Sequence, residues 1–179
     1  MSRIRITFIA LLSGALAAAC GSPTANQMET AHPMPTEQTM TTDQQNRAAF
    51  HNILDKALNG HDPNVLDTAL TPDSVDHDLP PGTPRGPAGT KAKLGAFIAA
   101  FPDLHFTFED EVYQGDKVSG RGYFTGTHKG TFNGIPATGK QVKVRFMDLW
   151  RFENGKLAEY WGQPDVLGLL QQIGAIPTT

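Results

Sequence analysis

The residue types that could do chemistry in this chain are a few carboxylates and histidines set among aromatics. Asp148 alternates with Val142, Val144, Phe146 and Trp150 in one extended stretch, so all five share a face. Asp165 closes a second alternating set, Leu157, Glu159, Trp161 and Gln163. An apolar pocket raises a carboxylate's pKa toward the working range, which suits it to take and return a proton. Asp165, beside Trp161 and the Leu167–Leu170 cluster, is the candidate base, and His77 its candidate donor. Each has a structural alternative. Asp165 directly precedes Val166 and reads equally as a helix N-cap. His77 ends the short polar segment Ser74–Asp78 at the expected pocket mouth, where a hydrogen-bonded structural histidine is common. Asp148 is either a second pocket carboxylate or the ion-pair partner of Arg121 or Arg145. His128 lies in a Gly-flanked turn, and Arg121 faces either an anionic substrate group or the sheet's own acids. Phe146, Trp150 and Trp161 supply the apolar walls of a substrate site, and Tyr123 and Tyr160 are further phenol donors.

Other chemistries lack their residue patterns. No histidine pair has metal-ligand spacing on an expected helix or strand, and Asp76-His77-Asp78 is too compact to form a site alone. Gly120-Arg121-Gly122 sits within a strand rather than a phosphate loop. The sole cysteine is Cys20, so a thiol nucleophile in the domain is absent. The expectation is proton-transfer chemistry without metal or organic cofactor on a small apolar molecule.

The elements that must hold these residues follow from periodicity. The stretch Asp116–Asp165 reads as three long strands joined by Gly-containing turns. Leu104–Tyr113 alternates as a strand before them, and Val166–Ile173 is a short helix after them. Upstream, the domain begins near Asp43, a plausible helix N-cap, and Phe50, Ile53, Leu54, Ala57 and Leu58 make one helical stripe after it. Asp62-Pro63 opens a short second helix that Thr71-Pro72-Asp73 breaks. Leu79–Gly89 is a Pro/Gly loop, and Thr90–Ala100 is a third helix. Helices followed by a run of antiparallel strands predict an α+β domain with the helices on one face of the sheet.

The first 42 residues are not part of that domain. Arg3 and Arg5 precede the apolar run Ile6–Ala19, which reads as a secretory signal too short for a comfortable membrane span. It ends at Ala17-Ala18-Ala19-Cys20, which resembles the lipobox of bacterial lipoproteins, with Ala17 where that motif prefers leucine. Cys20 is therefore the expected lipidation site. Residues 20–42 are rich in Thr, Pro, Gln and Met without apolar period and read as a flexible tether to the domain at 43–179. The expected location is outside the cytoplasm, lipid-anchored to the cell envelope. A formal net charge of −3 with scattered Arg and Lys gives no electrostatic case for nucleic acid.

An ordered set of short motifs then carries a resemblance. It comprises Phe101-Pro102-Asp103-Leu104, Gly115-Asp116-Lys117-Val118 and Gly126-Thr127-His128-Lys129-Gly130. Phe132-Asn133-Gly134-Ile135-Pro136 and Thr138-Gly139-Lys140 follow, then Arg151-Phe152-Glu153-Asn154-Gly155-Lys156 with Glu159, Trp161 and Asp165. Over about residues 46–175 the chain resembles the SnoaL-like polyketide (ester) cyclases of the NTF2-like superfamily. The resemblance implies an NTF2-like cone of curved antiparallel sheet wrapped by helices around an internal pocket. It implies intramolecular aldol closure by an acidic residue without cofactor, with Asp165 as the carboxylate at the end of the last strand. Aldol closure needs a base at a carbon next to carbonyls and a donor for the enolate oxygen. Related domains pair through the outer sheet face, so a homodimer is expected. Some of these cyclases place a histidine in the strand ending at Arg151, and this chain has no histidine from 129 to 179. The alternative function is an exported protein that binds a small molecule or a partner without turnover, since a fold does not fix a function.

Overall fold

The structure, a computed structural model, describes residues 40–177. The expected signal, Cys20 and nearly all of the tether lie outside the described residues. Among those described, no helix is long and apolar enough to cross a membrane.

Helix α1 (Thr42–Asn52) starts two residues earlier than a cap at Asp43 would place it. Thr41, not Asp43, is the N-cap, and it forms a reciprocal capping box with Gln44. Asp43 instead accepts a hydrogen bond from the Gly115 amide at 3.1 Å. The apolar stripe continues as a π-helical turn, Ile53–Leu58, rather than as regular α-helix. A 3₁₀ turn at Pro63–Val65 and the short α2 (Leu66–Ala69) follow, capped by Asp62.

Strand β1 (Leu70–Asp76) runs through Thr71-Pro72-Asp73, where a break was expected. A proline is tolerated there because β1 is an edge strand and its register slips between Leu70 and Val75. Helix α3 (Pro87–Ala100) begins three residues before the expected Thr90, with Pro87 at its first position. Strands β2 (His105–Gln114), β3 (Lys117–Thr127), β4 (Gln141–Glu153) and β5 (Lys156–Pro164) come next, and α4 (Val166–Ile173) closes the domain. The sheet order is β1-β5-β4-β3-β2. Four strands are antiparallel as expected, and β1 adds a parallel edge to β5. The β4–β5 hairpin turns at Asn154-Gly155, both at positive φ (50° and 71°), as a type I′ turn requires.

Alternation along β4 is unbroken: Val142, Val144, Phe146, Asp148, Trp150 and Phe152 are buried and their neighbours are not. Strand β5 is different. Phe152 pairs with Leu157, but Arg151 pairs with Glu159, so Ala158 is an extra residue. This bulge reverses the faces beyond it. Tyr160 and Gly162 follow Leu157 on the inner face, while Glu159 and Trp161 turn outward with Arg151 and Leu149. The expected shared face of Leu157, Glu159 and Trp161 is therefore split.

The inner face carries two apolar clusters. One joins Phe50, Ile53, Leu54, Leu66 and Leu94 to Val118, Trp150 and Phe152. The other joins Phe101, Leu104, Leu169 and Ile173 to Phe124, Val142, Val144 and Phe146. Each fully buried aromatic or branched side chain contributes about 1.5–3 kcal/mol. Asp148 falls on β4 between Phe146 of one cluster and Trp150 of the other, so a carboxylate marks their seam.

Candidate active site

Asp148 reaches the interior because strand alternation sends it there between two aromatics. It is 7% exposed. Neither Arg121 nor Arg145 pairs with it. Arg121 lies on the outer face, 49% exposed, and binds Glu109 at 2.8 Å and Asp110 at 2.6 Å. Arg145 reaches only Glu109, at 3.7 Å. Burial, and then the charge of Asp78, push the Asp148 carboxyl up to about 7. The Tyr160 hydroxyl, and more weakly Lys93 and the Trp150 indole, pull in the opposite direction.

The chain leaving β1 brings the other members. Asp76 pairs with Tyr160 across β1 and β5, and His77 N–H donates to Tyr160 O at 3.0 Å. Asp78 Oδ1 then accepts from Gly162 N–H at 3.1 Å. Alternation along this edge points Asp76 and Asp78 inward and His77 outward. From α3, Lys93 Nζ lies 2.6 Å from Asp76 Oδ2 and 3.6 Å from Asp78 Oδ2, and 4.8 Å from the centre of the Tyr160 ring. The Asp76 side chain is 3% exposed. Two carboxylates thus share one ammonium group, and the third, Asp148, without a direct cationic partner, is the one that holds its proton toward neutrality.

Gly162 is needed where it stands. A Cβ there would collide with both the Tyr160 hydroxyl and Asp78 Oδ2. The missing side chain makes the space in which those two groups meet. Burial and the neighbouring Asp148, Asp78 and Asp76 hold the Tyr160 phenol well above its ordinary pKa, so it stays a donor. Its ring keeps some exposure while its hydroxyl is enclosed. Trp150 meets Tyr160 edge to face at 5.2 Å, and Phe146 meets Phe108 at 4.9 Å. Along β1 a cavity of about 290 Å³ opens under the Pro/Gly loop, lined by Ser74, Asp76, His77, Pro80, Thr83 and Arg85 among others.

The remaining sequence candidates lie apart from this cluster. Asp165 is exposed and caps α4, its Oδ1 accepting from Gly168 N–H at 2.8 Å. The helix directly after it claims the carboxylate, so it does not face Asp148. His77 stacks on Trp161 (4.7 Å, 7°) on the outer face and binds Glu159 at 2.9 Å. That contact, ahead of Arg151 at 2.9 Å, holds the Glu159 carboxyl below its usual range. His77 and Trp161 are turned away from Asp148 because the Ala158 bulge reverses β5. His128 is fully buried against Phe101 (5.3 Å), with Nδ1 3.1 Å from Thr138 Oγ1, and belongs to the packing of the 128–140 loop. Sequence reasoning did not single out Lys93 or Asp78, and gave Tyr160 no position. The alternation Asp76-x-Asp78 was the one available signal. No cluster of three or more His, Cys, Asp or Glu is arranged to hold a metal among the described residues.

The domain is thus an α+β fold whose five-stranded sheet encloses an acid among aromatics and a phenol. The profile of the SnoaL-like polyketide cyclases matches residues 48–173, and the chain belongs to that family. It is 29% identical over 118 residues to aklanonic acid methyl ester cyclase DauD of Streptomyces sp. strain C5, covering 62% of this chain and 67% of that one. Among solved structures, TsrD from Streptomyces laurentii is 33% identical with a TM-score of 0.67, over 74% of this chain and 96% of that one. IdmH from Streptomyces antibioticus is 30% identical with a TM-score of 0.63, over 73% and 99%.

Proposed function

We propose that this protein catalyses a cofactor-free, aldol-type ring closure on a small apolar carbonyl compound, with Asp148 as the proton-transfer group. The observation that carries the reading is the buried Asp148 carboxyl with its pKa near 7, set between aromatic walls and facing a phenol that keeps its proton. At neutral pH a substantial fraction of Asp148 is ionised and can take a proton from a carbon between carbonyls. The same group, once protonated, returns it to the alkoxide formed when the new carbon–carbon bond closes. Tyr160 donates to the developing oxyanion. Lys93 holds Asp76 and Asp78 in place and limits the excess negative charge around Asp148. Asp165, His77, His128, Arg121 and Trp161 have no part in this scheme.

The test uses aklanonic acid methyl ester, the compound named for the DauD relative. The wild-type protein is expected to convert it to a cyclised isomer, and Asp148→Asn is not. Equal conversion by both would remove Asp148 as the base. No conversion by the wild type would favour the binding reading. We also propose that the chain is exported and anchored through a lipid on Cys20, on the strength of the charged and apolar segments that precede it.

A further inference from the structure

Trp150 presents the one buried N–H beside Asp148 for which the described residues complete no well-aligned hydrogen bond. Trp150 is 4% exposed, and its Nε1–H, near enough to Asp148 to draw that carboxyl's pKa down, makes no hydrogen bond of good geometry with it. An indole N–H can only donate, and leaving it unpaired in the interior is costly enough that most buried donors find an acceptor. The ring cannot turn away. Phe50 holds it edge to face at 5.1 Å, and Tyr160 does so at 5.2 Å on another side. It lies two residues beyond Asp148 on the same face of β4, so the indole, the carboxyl and the Tyr160 hydroxyl converge. Two further hydroxyls, Thr71 Oγ1 and Ser74 Oγ, are buried without a partner on β1, and Ser74 lines the cavity beside it. Of the buried polar atoms without a partner among the described residues, His128 Nε2 lies apart in the 128–140 loop, and Asp76 Oδ2 faces Lys93. Hydrophobic packing alone does not account for an indole N–H aimed beside a buried carboxyl.

We infer that Trp150 Nε1–H and the Tyr160 hydroxyl form a subsite for an enolate or phenolate oxygen, making Trp150 a catalytic donor. The inference rests on the proton-transfer role proposed for Asp148. In the step it serves, the C–H bond next to the substrate carbonyl breaks and its proton passes to the Asp148 carboxylate. The electron pair moves onto the carbonyl oxygen, where Trp150 and Tyr160 donate to it. The enolate carbon then bonds to the second carbonyl carbon, and Asp148 returns the proton to the resulting alkoxide. The donors favour the charged oxygen over the neutral carbonyl, which is the condition for lowering the barrier rather than merely binding substrate.

The probe is 4-nitrophenol, whose colour reports its ionisation, titrated at pH 8 into the full chain carrying Asp148→Asn. The uncharged amide of that variant stands for the protonated base, and the bound phenolate stands for the enolate. Asp148→Asn is expected to bind the phenolate, and adding Trp150→Phe should weaken binding about tenfold to a hundredfold, the range for a hydrogen bond to a charged group. Binding within twofold in both variants would overturn the inference. A second measurement does not depend on Trp150→Phe folding. In ¹⁵N-labelled Asp148→Asn the Trp150 indole resonance should move downfield on phenolate binding, while that of Trp161 on the outer face stays put. An unmoved Trp150 resonance with the probe bound refutes the donor role. Absence of any phenolate binding refutes it as well, whereas the role of Asp148 stands or falls on conversion of the methyl ester.

Discussion

Replacing Asp148 by asparagine should make the protein more stable at alkaline pH and no more stable in acid. The carboxyl has an ordinary pKa of 3.8 when unfolded and is pushed to about 7 in the fold, chiefly by burial. Between those values the folded chain holds a proton that the unfolded chain has released. Stability therefore falls as pH rises through this window and levels off above the folded pKa. A shift of about 3 pH units corresponds to roughly 4 kcal/mol at 1.36 kcal/mol per unit. Asparagine has the same shape, keeps a polar contact for Tyr160 and carries no charge at any pH, so it never incurs this penalty. Asp148→Asn should thus gain on the order of 2–4 kcal/mol over wild type at pH 8.5, or roughly 10 °C in melting temperature for a domain of this size. At pH 4.5 the gap should shrink to about 1 kcal/mol, because only the first part of the window has been crossed. Urea unfolding of both proteins at the two pH values makes the comparison, because other titrating groups cancel in the difference. A gap between variant and wild type that does not change with pH would refute the claim that Asp148 resists ionisation. The same substitution should abolish turnover, so stability and activity move in opposite directions at one residue.

Other outcomes follow from the same geometry. Tyr160→Phe should cut turnover about a hundredfold or more, as loss of an oxyanion donor does, and should move the acid limb of the pH–rate profile upward, since this hydroxyl pulls the Asp148 pKa down. Gly162→Ala should cost about 1–3 kcal/mol in denaturant unfolding, because its methyl meets Tyr160 and Asp78 and neither can withdraw without losing a partner. Asp165→Ala should lose about 0.5–2 kcal/mol of stability with the α4 cap, and Asp165→Asn should unfold like wild type. Both should keep wild-type turnover, and a large loss in Asp165→Asn would return the base role to that residue. Cys20→Ser should release the full-length protein from the membrane fraction, and unchanged partition would refute lipidation.

How much was legible in the sequence can be read from neighbouring strands. In β4 a period of two runs without interruption, so the inward placement of Phe146, Asp148 and Trp150 follows from residue order alone. Helix α4 with its Asp165 cap and Gly174 in the left-handed conformation was equally local. The motifs over residues 101–165 were enough to indicate the family. In β5 the same rule failed after Leu157, because one extra residue, Ala158, exchanged the faces of Glu159, Tyr160 and Trp161. A bulge is fixed by pairing with the partner strand, and Ala158 itself carries no local mark of it. β1 was hidden for a related reason. Its Thr-Pro-Asp segment has the composition of a turn and becomes a strand because the edge of β5 is there to receive it. The site had to wait for the same long-range pairings. Lys93, Asp76, Asp78, Asp148, Tyr160 and Gly162 come from four separate regions of the chain, and only their packing decides that Asp76 and Asp78 share one ammonium beside Asp148. The sequence by itself determined the antiparallel strands and most of the helices, the alternation of β4 and the family. The tertiary structure decided which carboxylate is enclosed, because burial and charge proximity belong to contacts between distant residues.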